Sequence, residues 1–525
     1  MCAVRVRLYN FGQMGILSLA FALTACANTT ESTFQKGGGE DGGRGGSDGG
    51  NESDGSFAGN SSKIVLLFGH DGGADTGGSD GGSQGCSGLS CQIHTCDSGS
   101  TTISGTIYDP AGVNPLYDIV AYVPNTTPQP FPSGAACTPC NALYTGDPIA
   151  TALTDASGKF TIANAPDGTN IPLVIQVGKW RKQLTIPTVT QCQDNPQPDK
   201  SLTLPKNHDV GDIPMIAIST GGADTLECLL TRVGLDATEY SPGGGGAGHI
   251  QIFQGGAGAH VGAQSPAPNT APPGPESYLQ LWDSSADLLK YDIVLLSCEG
   301  EETQDGVQGA GGETQTPLTV ADQTALLDYA AGGGRVFASH FHYAWFNSGP
   351  FGAANLATWT TGGNDMGTIN ADVLQTLPNG NAFPKGVALY DWLGNVGALN
   401  VGPTAIGELP IQAAKHNADV TAANTLSTPW IVADTTANPA GATEYISFDT
   451  PLGAAADKVC GRVVYSDLHV GAASHDQPTM PIPAECTPGK LSPQEDALEF
   501  MLFDLSSCVT PNSVTPTPPI PTQPK

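Results

Sequence analysis

The hydrophobic pattern divides the chain into a region of alternating residues and a region of continuous apolar runs. Between residues 101 and 205, apolar and β-branched residues alternate with polar ones, and turn signals such as Asp109-Pro110-Ala111-Gly112 separate the runs. Short strands without intervening helices are typical of a β-sandwich. The predicted strands cover residues 102–108, 118–123, 150–154, 159–163, 171–177 and 181–186.

From about residue 212 the pattern changes to strands that alternate with helices. Apolar residues recur at helical spacing over residues 226–233, Asp224 precedes them as a candidate N-cap, and Gly234 follows them. Further helices are predicted at 279–289, 319–331 and 491–505, and strands at 213–219, 291–297, 335–339 and 462–466. This order predicts a flavodoxin-like, mostly parallel sheet covered on both faces, with 243–275 and 299–317 as long inserted loops.

The first 26 residues have the pattern of an export signal. Arg5 and Arg7 precede the apolar run 16–23, which is too short to span a bilayer. The sequence LTAC, ending at Cys26, resembles the bacterial lipobox; the alternative is an ordinary cleavage site with an incidental cysteine. The resemblance implies an acyl anchor on Cys26, and Ala27 after it favours the outer membrane.

The composition restricts the partners of this chain. Its 525 residues include 50 acidic and 20 basic ones, for a formal net charge of -30. Nucleic acid and anionic membrane surfaces are bound through clustered Lys and Arg, so neither is an expected electrostatic partner. Residues 26–85 are rich in Gly, Asp and Ser, cannot bury enough apolar surface to offset chain entropy, and are predicted to form a disordered tether.

The thirteen cysteines indicate an oxidising compartment. Loss of Cys2 with the signal and lipidation of Cys26 leave an odd number, so at least one thiol is unpaired, metal-bound or intermolecular. The cysteines of segment 86–100 are spaced too widely for zinc-binding pairs and favour disulfides. Cys137 and Cys140 form a CxxC without a thioredoxin-like surrounding, which predicts a disulfide or a loop staple.

Polar, ligand-capable residues follow three of the predicted parallel strands. The three segments are Ser297-Cys298-Glu299, Ser339-His340-Phe341-His342 and Ser466-Asp467-Leu468-His469. Ligands of open α/β sheets bind outside the carboxyl ends of the strands. These segments therefore define the candidate site.

Two kinds of chemistry are open at these strand ends. Cys298 is a candidate nucleophile, with His340, Asp467 and His469 as candidate acid–base groups; the alternatives are a buried or disulfide-bonded cysteine and an aspartate that accepts from backbone amides. His340, His342 and His469 are candidate ligands of a divalent metal ion, because His340 and His342 fall on one face of a strand. No sharp metal-binding motif is present, and histidines bonded to backbone carbonyls are the alternative.

The first region resembles a known module. The segments ISGTIYDPAGVNPLYDIVAYV and ATALTDASGKFTIANAPDG resemble the carboxypeptidase-regulatory-like domain, a small prealbumin-like sandwich. The matching positions are Gly105, Asp109, Gly112, Pro115, Leu116, Thr154, Asp155, Gly158, Phe160 and Ile162. The resemblance implies a structural or adhesive module without catalytic residues.

The second region resembles another known fold. The segments YDIVLLSCEG, YAAGGGRVFASHFHY and CGRVVYSDLHVG are similar to the class I glutamine-amidotransferase-like fold, and especially to its trehalose-utilisation (ThuA-like) branch. Amidotransferases carry a cysteine at their nucleophile elbow, where Ser339-His340 stands in this chain. This departure argues against glutamine hydrolysis.

The whole arrangement resembles a group of myxobacterial secreted lipoproteins. The segments ECLLTRVG, YDIVLLSCEG, GGRVFASHFHY and SPQEDALEFMLFDLSSC support this resemblance. Some of these relatives carry the label tryptophan synthase alpha chain, which does not fit this sequence because that enzyme is a cytosolic βα barrel.

We therefore expect a prealbumin-like β-sandwich followed by an α/β flavodoxin-like domain, behind a disordered N-terminal tether. The expected boundaries are a signal peptide at 1–25, the tether at 26–85, a Cys-rich segment at 86–100, the sandwich at 101–207, the amidotransferase-like domain at 208–509 and a Pro/Thr-rich tail at 510–525. The favoured function is a non-catalytic module of the outer membrane or cell surface that binds carbohydrate or an envelope protein. The alternative is a hydrolase or lyase for a carbohydrate-like substrate, with or without a divalent metal ion.

Overall fold

The structure, a computed structural model, describes residues 86–221, 223–253, 255, 279–300, 318–471, 482–483, 486–487 and 489–522. The predicted signal peptide, the lipidation site Cys26 and the tether lie outside the described residues, as do most of the loops 243–275 and 299–317. All described residues fall within one compact unit, Asp80–Lys525.

Short strands fill the region between residues 101 and 207, as the alternating pattern predicts. They are β1 (Thr102–Tyr108), β2 (Val120–Pro124), β3 (Pro148–Leu153), β4 (Lys159–Ala163), β5 (Gly168–Val177), β6 (Trp180–Val189), β7 (Asp194–Pro196) and β8 (Leu202–Thr203), with a one-turn helix α1 (Cys140–Leu143) before β3. One four-stranded sheet has β4, β7 and β8 around β1, and the other is antiparallel in the order β3-β2-β5-β6. All six predicted strands are present.

The two four-stranded sheets contribute to one hydrophobic core. Ile103, Phe160 and Ile162 from the first sheet and Leu173 and Ile175 from the second are buried members of the same apolar cluster. In β4 the buried residues alternate with exposed ones, which is the pattern of a strand with one face on a core and one in solvent. The alternation in the sequence thus predicted the buried face.

The region after residue 212 is built around one ten-stranded sheet. Its strands and those beside it are β9 (Ile216–Ser219), β10 (Tyr240–Pro242), β11 (Ile250–Phe253), β12 (Ile293–Leu296), β13 (Arg335–Ser339), β14 (Thr358–Trp359), β15 (Asp365–Val373), β16 (Leu409–Lys415), β17 (Ala418–Asp419), β18 (Ser427–Ala433), β19 (Thr443–Thr450) and β20 (Gly461–Ser466). The helices are α2 (Leu226–Val233), α3 (Leu279–Trp282), α4 (Ser285–Leu288), α5 (Val320–Ala331), α6 (Gly349–Gly352), α7 (Pro384–Val396) and α8 (Pro493–Ser506).

The large sheet is mixed rather than mostly parallel. Its order is β10-β11-β9-β12-β13-β20-β19-β18-β15-β16, and every pair from β10 to β20 is parallel. The pairs from β20 to β16 are antiparallel. The four predicted strands are present as β9, β12, β13 and β20, and all four pair in parallel. The prediction omitted β10, the antiparallel half and β11, which lies within the segment 243–275 that was expected to be a loop.

Two local predictions differ from the structure. The helix expected at 279–289 is two short helices, α3 and α4, because Ser284 caps a new helix through the amide of Asp287. Asp224 does not cap α2, whose N-cap position is Thr225. Its carboxylate instead accepts hydrogen bonds from the amides of Val470 and Gly471, at 3.0 and 2.7 Å.

Five disulfides join the described cysteines. They are Cys86–Cys91, Cys96–Cys192, Cys137–Cys460, Cys140–Cys508 and Cys228–Cys486. The Cys-rich segment is therefore disulfide-bonded as predicted, and the CxxC cysteines pair separately with the second region rather than with each other. Disulfides in this number indicate an oxidising, extracytoplasmic compartment.

Helix α8 joins the two regions. Tyr117 stacks on Phe500 at 5.5 Å between ring centroids, and Trp180 meets Phe503 edge-on at 5.7 Å. Every residue of α8 from Gln494 to Ser506 is buried. The polar residues of this helix are thus covered by other parts of the protein.

A buried ionic network lies under the same helix. Asp504 accepts from Lys385 and Arg462 at 2.6 Å each, and Arg462 also binds Asp449 at 2.7 Å. Lys385 is fully buried, and the side chains of Asp504 and Arg462 are at most 3% exposed. Buried charges of this kind are tolerated only when each has a partner.

No helix among the described residues combines the length and apolar composition needed to cross a membrane.

Candidate functional site

The carboxyl ends of three neighbouring parallel strands bring Cys298, His340 and His469 together. Strands β12, β13 and β20 are adjacent in the sheet. Cys298 lies two residues after β12, His340 follows β13 directly, and His469 lies three residues after β20. The strand order therefore assembles residues that are far apart in the sequence at one edge.

The three side chains are within contact distance. The Cys298 Sγ atom lies 3.3 Å from His340 Nδ1, and the same Nδ1 lies 2.9 Å from His469 Nε2. One ligand atom from each residue falls within 4.8 Å of the other two. Cys298 and His340 are buried and His469 is half-buried, so the cluster opens to solvent on the His469 side.

The backbone at His340 determines where the following side chains lie. His340 has a φ of 41°, in the left-handed region that costs a non-glycine residue about 1–3 kcal/mol. The chain then continues as a 3₁₀ helix, His340–Trp345, instead of an extended strand. His340 thereby turns toward Cys298 at the point where strand geometry ends.

His342 is not part of the cluster, and the strand face that it was predicted to share with His340 does not exist. Its Nε2 atom lies 2.9 Å from the carbonyl oxygen of Ser297, and its Nδ1 accepts from the indole of Trp345 at 3.1 Å. Burial lowers the pKa of His342 to about 4. Both ring nitrogens are occupied within the protein, which is the carbonyl-bonded alternative raised above.

Asp467, directly after β20, connects the end of this strand to the neighbouring backbone at residues 417 and 418. Its carboxylate accepts from the hydroxyl of Tyr465 and from the amides of Asn417 and Ala418, the first and last at 2.9 Å. Burial raises the pKa of Asp467 to about 7, although these hydrogen bonds oppose the shift. The structure thus gives Asp467 a structural role, and it does not place this carboxylate against the ring of His469.

The hydrogen bonds of His340 fix its tautomer. Its Nε2 atom lies 3.2 Å from the carbonyl oxygen of Gly363, which only accepts, so Nε2 carries the proton and Nδ1 has a free electron pair. Burial lowers the pKa of His340 to about 2, helped by the nearby charges of His469 and Lys415. The ring is therefore neutral, with the Nδ1 electron pair directed at Cys298 and His469.

Cys298 is a neutral thiol in this environment. Burial raises its pKa to about 12, against the backbone amides of Phe341 and Gly300, which lower it. A reactive cysteine needs a thiolate stabilised by a nearby positive charge, and the neighbouring imidazole is neutral. Cys298 is also the free cysteine among the described residues, so the odd thiol predicted from the sequence lies in the candidate site.

The rim of the cluster comes from the antiparallel half of the sheet and from Phe341. The half-buried Phe341 ring packs on His340 with centroids 4.0 Å apart. Lys415, at the end of β16, binds Asp365 at 3.2 Å, and both lie close enough to act electrostatically on the two histidines. A half-buried aromatic ring, the buried Lys415 side chain and the exposed Asp365 carboxylate thus lie near the two histidines.

Several residues that build the site were not predicted from the sequence. Asn417 donates to the carbonyls of Thr360 and Gly362, at 2.6 Å each, and so holds the loop that presents Gly363 to His340. Lys415 and Asn417 lie in a stretch that carries no recognisable motif. Their contribution depends on the antiparallel strands, which the hydrophobic pattern did not reveal.

A separate cavity of about 320 Å³ lies at the opposite edge of the sheet. Its lining includes Ile293 and Arg335, which begin β12 and β13, and the Cys137–Cys460 disulfide. None of the three clustered residues lines it. We place the candidate site at the carboxyl edge, because Cys298, His340 and His469 converge there.

Comparison with known proteins gives no family for this chain. No protein-family model matches it, and no curated protein matches it. A cohesin–X-dockerin complex from Acetivibrio cellulolyticus matches with 16% identity and a TM-score of 0.15, over 24% of this chain and 78% of that one. A cytoplasmic protein from Salmonella typhimurium matches with 10% identity and a TM-score of 0.26, over 49% and 89%. TM-scores this low do not define a shared fold.

Proposed function

We propose that this chain is an exported lipoprotein of the bacterial envelope, anchored through Cys26, that binds a ligand at the carboxyl edge of its parallel strands without catalysing a reaction. The observation that carries this proposal is the convergence of Cys298, His340 and His469 at that edge. The paired neutral thiol and neutral imidazole favour binding over nucleophilic catalysis.

The arrangement of the sheets supports the fold that this proposal assigns to each of the two regions. Six parallel strands with the candidate site at their carboxyl ends agree with a flavodoxin-like, ThuA-like domain over 208–509. The two four-stranded sheets over 101–207 agree with a prealbumin-like module. In this proposal the first module acts as a spacer, fixed to the second through α8 and two disulfides.

The rim favours a carbohydrate of the envelope as the ligand. Phe341 offers a partly exposed ring, and Asp365, which is paired with the buried Lys415, offers an exposed carboxylate near His469. A mainly apolar surface with a few convergent polar groups is the usual composition of a small-ligand site. Sugar rings combine an apolar face with hydroxyl groups and fit such a surface.

Anchoring and binding are tested separately. Full-length protein expressed in a Gram-negative host is expected to incorporate a labelled fatty acid and to fractionate with the outer membrane, whereas Cys26→Ser incorporates none. Equal labelling of the two would disprove the anchor.

Binding is measured as a shift in Tm on adding soluble peptidoglycan fragments. A ligand at 100 times its Kd adds about 2.7 kcal/mol of stability, which raises Tm by several degrees. Phe341→Ala should abolish the shift, and Phe131→Ala, which truncates a partly buried phenylalanine of the first region, should retain it. No shift with the unaltered protein, or an equal shift with Phe341→Ala, would reject this site.

A hydrolase or lyase for a carbohydrate-like substrate is a second candidate. The observation that favours it is the strained backbone of His340 directly after β13, since such strain is concentrated at active sites. Release of reducing sugar from the same fragments, lost in His340→Ala, would support it over simple binding.

A further inference from the structure

We infer that Cys298, His340 and His469 bind a divalent transition-metal ion, Zn²⁺ in the first instance. This inference rests on the proposed function only in placing the ligand at the same edge of the sheet. Each of the three residues offers one donor atom, and the three atoms lie within 4.8 Å of one another. A thiol and two imidazoles are the donors that zinc prefers.

Two of the three separations between the donor atoms are close to those around a tetrahedral ion. Bonds of about 2.0 Å to nitrogen and 2.3 Å to sulfur place two ligand atoms of a tetrahedral zinc roughly 3.3–3.6 Å apart. The observed separations are 3.3 Å for Cys298 Sγ to His340 Nδ1 and 2.9 Å for His340 Nδ1 to His469 Nε2. Side-chain movements of about half an ångström would therefore admit the ion between these pairs.

The carbonyl of Gly363 prepares His340 for this role. Metal-bound histidines usually donate their second ring N–H to a carbonyl or carboxylate, which directs the other nitrogen's electron pair at the metal. The 3.2 Å contact from His340 Nε2 to Gly363 has this arrangement. Nδ1, the atom that faces Cys298 and His469, is thereby the one free to coordinate.

Contacts with the neighbouring backbone hold the other two ligands in place. The Ser339 hydroxyl accepts from the amide of Cys298 at 2.9 Å. The buried carboxylate of Asp224 accepts from the amides of Val470 and Gly471, the two residues that follow His469. All three donor residues are thus positioned by hydrogen bonds that do not use the donor atoms themselves.

Three protein ligands leave one tetrahedral position for an exogenous group. Binding of Zn²⁺ forms a metal–sulfur bond as the Cys298 S–H bond breaks, and the proton passes to solvent. The half-buried side of His469 is the side from which the ion and a fourth ligand would enter. Zinc sites with three protein ligands and one open position are typical of exchangeable or reactive centres.

Metal titration of the detergent-solubilised, full-length protein tests this inference. After chelator treatment, the protein is titrated with Zn²⁺ against a chromogenic competitor, and with Co²⁺ as a spectroscopic substitute. We expect one equivalent to bind and a thiolate-to-Co²⁺ charge-transfer band to appear. Cys298→Ser should lose this band, and His469→Gln should lower Zn²⁺ affinity at least about 100-fold, as loss of a direct ligand must exceed the 10–100-fold typical of outer-shell changes.

The control is His416→Gln, at a nearby histidine whose ring faces Asp419 at 3.0 Å. Its Zn²⁺ affinity should stay within about twofold of the unaltered protein, because it contributes no donor to the cluster. His469→Gln changes a half-buried side chain and provides a second test should Cys298→Ser fail to fold. Absence of stoichiometric Zn²⁺ binding, or equal affinities for His469→Gln and His416→Gln, would overturn the inference.

The same preparations separate this inference from the proposed function. Fatty-acid labelling and the peptidoglycan-dependent Tm shift are measured on the unaltered protein with and without Zn²⁺. If the unaltered protein binds no Zn²⁺ while both other readouts are intact, the metal site alone is rejected. Stoichiometric Zn²⁺ binding without any Tm shift would reject the carbohydrate proposal and leave the metal site standing.

Discussion

The Nε2 atom of His340 lies 3.2 Å from the carbonyl oxygen of Gly363, and this contact links the parallel half of the sheet to a loop before the antiparallel half. The ring orientation of His340 therefore depends on residues well outside the strand that carries it. Asn417, which donates to both Thr360 and Gly362, is the residue that holds this loop.

We predict that Asn417→Ala weakens metal binding without removing a ligand. The loop carbonyl would no longer be held against His340, and the loss of such outer-shell support typically costs 10–100-fold in affinity. Zn²⁺ titration measures the effect, and ¹⁵N chemical shifts of the His340 ring report whether Nε2 still carries the proton. Asn424→Ala removes another buried asparagine that donates to a loop carbonyl and should leave the affinity unchanged. An equal loss in both variants would show that general destabilisation is the cause.

Cys298 should be unreactive until the protein unfolds. Its side chain is fully buried, so a reagent cannot reach the sulfur atom in the folded protein. Burial also raises the pKa of the thiol to about 12, so almost none of it is ionised at neutral pH. Alkylation without reductant, followed by mass spectrometry, should leave Cys298 unmodified in native protein and modify it after addition of denaturant. Rapid native modification would contradict the burial described for this residue.

Stability should fall as pH rises between about 4 and 7, partly because of Asp496. Burial raises the pKa of Asp496 to about 7, and the charges of Glu495 and Asp109 add to this effect. An unfolded aspartate has a pKa near 3.9, so in this range the folded protein keeps a proton that the unfolded chain has lost. The stabilisation is present at low pH and is lost as pH approaches the folded pKa.

Asp496→Asn should flatten this dependence by up to about 1.4 kcal/mol per pH unit, since the substituted side chain does not titrate. The free energy of unfolding is measured by urea titration across the range. Asp457→Asn, at an exposed position, is the comparison and should retain the slope of the unaltered protein. Identical slopes in all three proteins would refute the role assigned to Asp496.

Breaking the ionic network under α8 should be costly. Asp504→Asn leaves Lys385 and Arg462 buried without their shared carboxylate, and removing one partner of a buried pair typically costs 3–5 kcal/mol. Asp457→Asn breaks a pair in which both side chains are more than 70% exposed and should change the free energy of unfolding by less than about 1 kcal/mol. Urea unfolding of the two variants distinguishes these outcomes.

The Cys137–Cys460 disulfide, which links the two regions, should also contribute to stability. Replacing Cys137 and Cys460 by serine opens a cross-link between residues 323 positions apart, and loss of a native disulfide typically costs 2–5 kcal/mol. Thermal unfolding should show a lower Tm than in the unaltered protein. The corresponding loss of Cys86–Cys91, which closes a short loop of sequence separation 5, should cost less. A larger effect from the short loop would contradict this order.

The strands were predictable where local sequence determines burial. The runs Ile293–Leu296 and Arg335–Ser339 are short apolar stretches bounded by turn signals, and both are central parallel strands. Strand β15 was missed because exposed residues break its apolar pattern and a glycine bulge interrupts its pairing with β16. Its place in the sheet depends on long-range pairing that residues 365–373 do not encode by themselves.

The candidate site was predictable only in part, because the sequence pattern indicates where strands end but does not determine how the backbone continues after them. Parallel strands end at a common edge of the sheet. This rule alone predicts that Cys298, His340 and His469 lie in one area. The side-chain period of a strand suggested that His342 would join them, but the left-handed backbone at His340 breaks this period one residue after β13. The φ angle of His340 thus determines which histidine joins the cluster, and the hydrophobic pattern of the sequence does not predict this angle.

The pairing of Cys137 with Cys460 and of Cys140 with Cys508 has a consequence for biosynthesis. During export the two cysteines of the CxxC reach the oxidising compartment together, long before either native partner has been translocated. An oxidase that acts on cysteines in order of arrival would join Cys86 to Cys91 and then Cys96 to Cys137, which is not a native pair. The native connectivity must then be reached by thiol–disulfide exchange once the last segment has arrived, so production of this protein should depend on a disulfide isomerase in the host.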